Sequence, residues 1–337
     1  MRGADPWLLP AAHQFLAEVE PLVWKGGAIV TSDASTPSGL ADRLVSHLRD
    51  TVTVERLAPR PGELPLAALG EACGLAGAPM AQLVASGRVL LVEAQHLAPA
   101  DLARWAHALS DFATSFAKAG EGGAILFLGD ARVPGIGQLT WAKRLRRADS
   151  MIWAEYAVPS ERNDLLQRMA VDLAVELCGW RLDLVADLVS QRDEDILDPL
   201  GWLRRRADEA VATTPTFGKG PFACPLDLLN RGNVTELKHR IWKSQLSVLF
   251  PWIEGHRQKL IERYRKHLYL DEHLRGLGVV NVEDIELGGL RRQLTRVLVR
   301  EQADQVAALA NLRNDLAHRK PINVRDFALA NQMRWDD

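Results

Sequence analysis

The sequence has few cysteines, no long apolar run and almost no net charge, and each absence excludes a class of protein. Its three cysteines, Cys73, Cys178 and Cys224, lie far apart, so they form neither a disulfide framework nor a closely spaced set of metal ligands. No apolar run approaches the roughly 20 residues of a membrane span, and the N-terminus lacks the pattern of a secretion signal. These features predict a protein of the reducing cytoplasm with no membrane partner.

The charge is small overall but uneven along the chain. A formal net charge of -2 excludes a strongly basic protein that would bind nucleic acid non-specifically. From Val234 onward, however, the sequence has 18 lysines and arginines against 14 aspartates and glutamates. This local excess allows RNA binding without requiring it. At 337 residues, of which 47% are hydrophobic, the chain is long enough for two or three ordinary globular domains.

The first half alternates short apolar runs with helical patterns, which predicts a parallel α/β sheet covered by helices. The run Ala28–Thr31 is followed by a turn-rich segment and an amphipathic helix through Leu40, Leu44 and Leu48. This order of strand, loop and helix is the start of a P-loop unit. Four further strands are predicted, at Thr51–Leu57, Arg88–Glu93, Ala124–Gly129 and Met151–Tyr156.

The loop after the first strand lacks the residues that bind phosphate. A working loop has glycine, four residues, then Gly-Lys-Ser/Thr, because the backbone N–H groups surround the phosphates and the lysine neutralises them. Here Thr31 and Thr36 occupy the two glycine positions, Pro37 occupies the lysine position, and Ser38 alone is retained. We therefore predict no ATP hydrolysis, weak or absent nucleotide binding and no cofactor.

Two later strands carry a family resemblance. The segment from Arg88 to Leu97 looks like a Walker B strand with Glu93 at the position of the metal-binding acid, and Ala124–Asp130 looks like the strand that delivers a polar sensor residue. From Trp24 to Pro159 the chain resembles the AAA+ and STAND classes of P-loop ATPase. Because the lysine is missing, Glu93 and Asp130 are interpreted as polar strand ends rather than metal ligands, and no metal site is predicted.

The resemblance implies a domain that has kept a P-loop fold and lost its nucleotide chemistry. Inactive STAND-like domains occur in bacterial conflict and anti-phage systems, where they connect a sensing surface to an effector and to protein partners. The same reduced pattern occurs in non-hydrolysing clamp-loader subunits. The class resemblance therefore leaves the function open.

From Ser160 onward the pattern is helical, and we divide the chain into three predicted domains. These are an inactive STAND/AAA+-like domain at 1–159, a helical lid or winged-helix-like connector at 160–232, and a helical domain at 233–337. A capped helix is predicted from Asn163 to Leu177, and Thr213–Pro225 has the composition of a linker.

Basic residues are concentrated in the last of these domains. Its first helix is predicted to begin at Asn233 and break at Pro251, with a second helix from Trp252 to about Tyr269. Candidate RNA-binding residues are Arg263, Arg265, Lys266, Arg319 and Lys320. The alternative is a solvated basic helix face whose aliphatic stems cover apolar neighbours.

The most informative stretch runs from Asn311 to Asn323. Apolar residues recur there at helical spacing, Pro321 ends the helix, and Asn323 is predicted to cap a last short helix. Arg313, Asn314 and His318 lie in this segment. Asn314 and His318, four residues apart, share a helix face, whereas Arg313 and His318 are about 140° apart around the axis. A site that needs both is therefore better completed by a second copy.

Arg313-Asn314 followed by His318 resembles the motif of the HEPN superfamily of small helical domains. Many members are metal-independent endoribonucleases in which two motifs meet across a dimer interface. The resemblance implies proton transfer by His318, phosphate binding by Arg313 and support of His318 by Asn314, with RNA, possibly tRNA, as substrate. Alternatives are an adaptor that uses these helices only to bind a second copy or a partner protein, and, more weakly, a non-catalytic clamp-loader-like subunit.

Overall fold

The computed structural model describes residues 5–334. Its contacts divide the chain into two compact units. The first contains the residues up to Ile152 and the segment Thr213–Phe222, and the second contains Trp153–Ala212 and the residues from Ala223 on. The helices predicted as a connector and those predicted as a HEPN-like domain thus lie in the same unit. Residues of the predicted linker form a two-stranded antiparallel hairpin, β6 (Thr216–Phe217) and β7 (Gly220–Pro221).

The first unit is built on a five-stranded parallel sheet, which confirms the α/β prediction for this half of the chain. The strand order is β2-β3-β4-β1-β5. The strands are β1 (Gly27–Thr31), β2 (Val54–Leu57), β3 (Val89–Glu93), β4 (Ala124–Leu128) and β5 (Gly137–Thr140). Strands β2, β3 and β4 lie on one side of β1, and β5 lies on the other. The order in which the chain adds strands to the sheet therefore changes direction at β1. In parallel sheets such a switch point is where loops at the carboxyl ends form a crevice.

The three central strands, β3, β4 and β1, are buried on both faces, as their continuous apolar sequences require. Side chains of alternate residues, including Ile29, Ile125 and Phe127, join one core with Trp105 and Leu109 of the long helix that follows β3. The intervening residues of the same strands are also buried. At the edge of this core, a Cβ on Gly27 would lie 2.0 Å from the carbonyl oxygen of Ile125, so only glycine allows β1 to approach β4 there.

The helices of the first unit cover this sheet. They are α1 (Pro10–Ala17), α2 (Glu20–Val23), α3 (Leu40–Leu48), α4 (Pro65–Ala72), α5 (Met80–Ala85) and α6 (Pro99–Ala119), preceded by a 3-10 turn at Pro6–Leu8. The predicted helix after β1 is confirmed, with Leu40, Leu44 and Leu48 buried.

The predicted fifth strand was wrong. Met151–Tyr156 lies inside a helix, α7 (Arg147–Ala157), and the fifth strand is Gly137–Thr140. The cluster of large apolar and aromatic residues suggested a strand, but the buried positions of α7 are Asp149, Ser150, Trp153 and Ala154, which is helical spacing. In strand β5 only Leu139 is buried, so the strand is stabilised mainly by its pairing with β1. The short polar sequence of β5 does not reveal this pairing.

The second unit is helical. Its elements are α8 (Asp164–Cys178), α9 (Leu182–Val189), α10 (Asp193–Leu197), α11 (Pro199–Arg204), α12 (Pro225–Asn230), α13 (Val234–Tyr264), α14 (Glu272–Gly276), α15 (Leu287–Leu294), α16 (Arg300–Ala317) and α17 (Val324–Ala330). Short 3-10 turns lie at Ala207–Glu209, Arg265–His267 and Val282–Asp284. Within residues 5–334, no helix is both long and apolar enough to cross a membrane.

The predicted helix break at Pro251 was also wrong. Helix α13 runs through the proline for 31 residues. Leu249 and Ile253 on either side of it are fully buried, whereas Pro251 itself is exposed. The same helix face packs before and after the proline, and this packing outweighs the loss of one backbone hydrogen bond. Because the proline is on the exposed side of the helix, the carbonyl that loses its hydrogen bond is open to water.

The predicted helix starts are confirmed by their caps. The side chain of Asn163 accepts a hydrogen bond from the N–H of Leu165 at 3.0 Å, and Asn233 accepts one from Glu236 at 3.3 Å. Asn323 accepts from the N–H groups of Arg325 and Asp326. Each asparagine thus bonds N–H groups that the first helical turn leaves without a partner.

Candidate functional site

The loop after β1 is occupied by its own hydrogen bonds. Asp33 accepts bonds from the N–H and hydroxyl of Ser35, and the N–H of Asp33 donates to the hydroxyl of Thr36 at 2.9 Å. The N–H of Thr36 donates to the carbonyl of Asp33. The donors of residues 33, 35 and 36 are thereby used within the loop, and Pro37 has none. A carboxylate already lies among the N–H groups that would otherwise face a bound anion.

Two tryptophans close the same loop. Trp7 donates its ring N–H to the carbonyl of Ser38 at 2.7 Å, and Trp141 donates to the hydroxyl of Ser35 at 3.1 Å. The two rings pack edge to face, with centroids 5.6 Å apart. The backbone N–H of Trp141 also bonds the carbonyl of Thr31. Sequence reasoning assigned no role to these tryptophans, because their positions in the fold and not their spacing bring them to the loop.

Glu93, at the Walker B-like position, is held by an arginine. Nε of Arg56, on the neighbouring strand β2, donates to Glu93 Oε1 at 2.8 Å. Arg56 also pairs with Asp42 at 2.5 Å. The pKa of Arg56 is raised chiefly by its hydrogen bond to Glu93, and then by the bond to Asp42. Among residues 5–334 there is no cluster of three or more histidines, cysteines and acids suited to a metal ion.

The motif residues lie at the carboxyl end of α16. Leu309, Leu312 and Leu316 are buried on its inner face, which leaves Asn314 and His318 exposed and Arg313 half-buried. The guanidinium of Arg313 is 3.3 Å from a carboxylate oxygen of Glu286, a pair exposed to solvent on both sides. His318 is the C-terminal cap residue, and its side chain bonds to no described residue.

The helix ends at this histidine by a tight backbone turn. The N–H of Lys320 donates to the carbonyl of Asp315 at 2.9 Å, and Arg319 has a φ of 57°. This is a Schellman-type end with a left-handed residue after the cap, a position that glycine usually occupies. The turn fixes the backbone of His318 and directs the chain towards Pro321.

Helix α13 holds this end of α16 in place. The ring N–H of Trp242 donates to the carbonyl of Leu316 at 2.7 Å, and the buried side chain of Gln245 accepts from the N–H of Ile322 at 3.0 Å. The ring of His239 lies 5.2 Å from that of Trp242. The sequence placed these residues on a helix but could not show that they position the motif, since 74 residues separate Trp242 from Leu316.

The predicted RNA-binding residues form two groups. Arg319 and Lys320 are exposed beside His318, whereas Arg263, Arg265 and Lys266 are exposed at the carboxyl end of α13. Arg265 pairs with Glu283, and Arg263 pairs with no described residue. Another histidine of α13, His256, packs against Trp252, and burial lowers its pKa to about 4, so it is uncharged near neutral pH.

No protein-family model matches the chain, and no curated protein matches it. The parallel α/β sheet and the helical unit are therefore defined by the structure alone.

Proposed function

We propose that the protein is a HEPN-type, metal-independent endoribonuclease of a bacterial conflict or anti-phage system. The observation that carries the proposal is the end of α16, where an exposed histidine without a described side-chain partner closes a hydrogen-bonded helix terminus and an arginine lies five residues earlier. Helix α13 holds that terminus through Trp242 and Gln245. An accessible histidine on a backbone held by hydrogen bonds suits proton transfer.

The proposed reaction uses the substrate's own 2′-hydroxyl. His318 takes the proton of that hydroxyl, its oxygen forms a bond to the adjacent phosphorus, and the bond from phosphorus to the 5′-oxygen breaks. The leaving oxygen gains a proton from a second acid, and the products are a 2′,3′-cyclic phosphate and a 5′-hydroxyl. Arg313 can bind the phosphate oxygens in a fork, because its exposed pair with Glu286 is weak and can be replaced by a phosphate.

Two copies are needed for this chemistry in one place. Arg313 and His318 are separated by about 140° around α16 and by about 7.5 Å along its axis. In a symmetric dimer the arginine of one copy faces the histidine of the other, and the second histidine serves as the acid. Asn314 shares a face with His318 and supports it within its own copy.

The first unit supports a non-hydrolysing sensor in this proposal. Its loop donors are used internally and Glu93 is paired with Arg56. These bonds leave a stable parallel sheet without the groups that activate a nucleotide.

The test is cleavage of total RNA and tRNA by the purified protein in EDTA. We expect the wild type to cut and His318→Ala to lose at least about 100-fold of the rate, since general acid–base catalysis contributes that much. His273→Ala, which removes another exposed histidine of the second unit, is the matched control. Size-exclusion chromatography should show the same oligomer for all three. Equal cutting by His318→Ala would remove the motif from the mechanism.

A non-catalytic adaptor is the second candidate, favoured by an exposed apolar surface on the first unit. Leu64 and Leu66 are 65% and 45% exposed and line a groove of about 540 Å³ with His107. An adaptor would cut no RNA in EDTA while remaining a dimer. Its association would be lost on substitution of such apolar faces and retained in His318→Ala.

A further inference from the structure

A second site lies at the opposite end of α13 and α16. The two helices run antiparallel, so the amino-terminal part of α16 meets the carboxyl end of α13, and the chain after α17 returns to the same place. Together they enclose a cavity of about 250 Å³. It lies about 20 Å from His318 along α16, since Gln305 and the histidine are thirteen positions apart.

One wall of the cavity carries an amide with no partner among the described residues. Gln305 is only 6% exposed and lines the cavity, yet its side chain makes no hydrogen bond with any residue that the structure describes. Neither polar atom of this amide is fully enclosed, so both are open to the cavity. The amide is therefore available to a ligand that offers a donor beside an acceptor.

The other walls are suited to a planar, negatively charged ligand. Leu260, Val306 and Met333 supply apolar surface, and the ring of Tyr264 can stack on a planar group. Arg263 and Arg334 lie at the rim against one acid, Glu301, so the rim carries an excess of positive charge. Arg263 has no described partner and can bind phosphate.

We propose that this cavity binds one adenine nucleotide, with Gln305 bonding the base edge and Arg263 bonding the phosphate. A glutamine amide donates to N7 and accepts from the amino group of adenine in a pair that other bases do not match. The volume is below the roughly 300–1,000 Å³ of pockets that enclose whole drug-sized ligands, so it suits one base with its phosphate at the rim. The nucleotide is either free or part of single-stranded RNA, and only the RNA source rests on the proposed function.

Isothermal titration with AMP, UMP and a 2′-O-methylated tetra-adenylate tests the proposal in the full-length protein. We expect AMP to bind at least about tenfold more tightly than UMP. Tighter binding of the tetra-adenylate than of AMP identifies RNA as the source, and equal binding identifies the free nucleotide. The 2′-O-methyl groups block cleavage, so this titration measures binding alone. Failure of nucleotide binding and failure of the RNA-cleavage assay can therefore be distinguished.

Two variants assign the contacts. Gln305→Leu should weaken AMP binding about tenfold or more while keeping the melting temperature, because the amide makes no hydrogen bond with a described residue that the substitution would break. Arg263→Gln should weaken AMP about fivefold and leave adenosine unaffected. Gln258→Leu and Arg296→Gln, at exposed positions outside the cavity, are the matched controls. Absence of AMP and tetra-adenylate binding at millimolar concentration, equal binding of AMP and UMP, or unchanged AMP affinity in folded Gln305→Leu would overturn the proposal.

Discussion

At the scale of single residues, one of the two non-glycine residues with a positive φ among residues 5–334 lies beside the candidate histidine. Arg319 has a left-handed backbone and is exposed, so its side chain gains no burial that would offset the unfavourable conformation. The sequence predicted the helix end from Pro321 but not the conformation of Arg319, because arginine is an uncommon residue at this position. The backbone hydrogen bonds that close the end of α16 offset this strain.

Arg319→Gly should therefore stabilise the protein by about 0.5–1 kcal/mol, since glycine adopts this conformation without a Cβ clash. The free energy of unfolding, measured by urea denaturation, checks the change. Arg319→Ala is the control: it removes the same charge and the same long side chain but keeps a Cβ. If both variants change stability equally, the left-handed backbone is not the cause.

Residue types alone identified the motif but not what surrounds it. Arg313, Asn314 and His318 are recognisable because their spacing is local, and a helix converts local spacing into a face. Trp242 and Gln245 bond the end of α16, and Gln305 lines the cavity, through contacts between distant parts of the chain. No periodicity in the sequence carries that information.

At the scale of elements, the sequence predicted the secondary structure of segments that form it by themselves. The prediction failed where packing against a neighbouring element determines the secondary structure. Strands β1, β3 and β4 are continuous apolar runs and were predicted nearly to the residue. Strand β5 exists because β1 offers it a partner, and the segment within α7 is helical because its buried residues follow helical spacing. Packing overrode local propensity in both segments.

The proline inside α13 gives a second prediction. Pro251→Ala should raise the free energy of unfolding by at least about 1 kcal/mol, because it restores the hydrogen bond to the carbonyl of Ser247. Part of the gain is lost through the greater freedom of the unfolded chain.

Gly255→Ala, in the same helix and with open space around the added Cβ, should give about 0.5–1 kcal/mol and serves as the reference. Both are measured by chemical denaturation. A destabilised Pro251→Ala next to a stabilised Gly255→Ala would mean that the proline makes packing contacts that matter more than the missing bond.

At the scale of the whole molecule, the first unit should not respond to nucleotide triphosphates. Because the N–H groups of residues 33, 35 and 36 are bonded within the loop, Pro37 has none and Arg56 holds Glu93, millimolar Mg-ATP should shift the melting temperature of the Gln305→Leu variant no more than magnesium sulfate at equal ionic strength. Differential scanning fluorimetry measures the shift. The wild type belongs in the same experiment, since a shift that appears only there arises from the cavity of the second unit and not from the loop.

The antiparallel pair of α13 and α16 also limits how the chain can change in length. Both the cavity and the histidine are carried by α16, and inserting or deleting one residue between Gln305 and His318 would rotate one of them by about 100° relative to the other. A loop would absorb such a change, but a continuous helix transmits it to its end. Sequences that share both sites should therefore show substitutions, but no insertions or deletions, between the positions of Gln305 and His318. The two positions should stay thirteen residues apart.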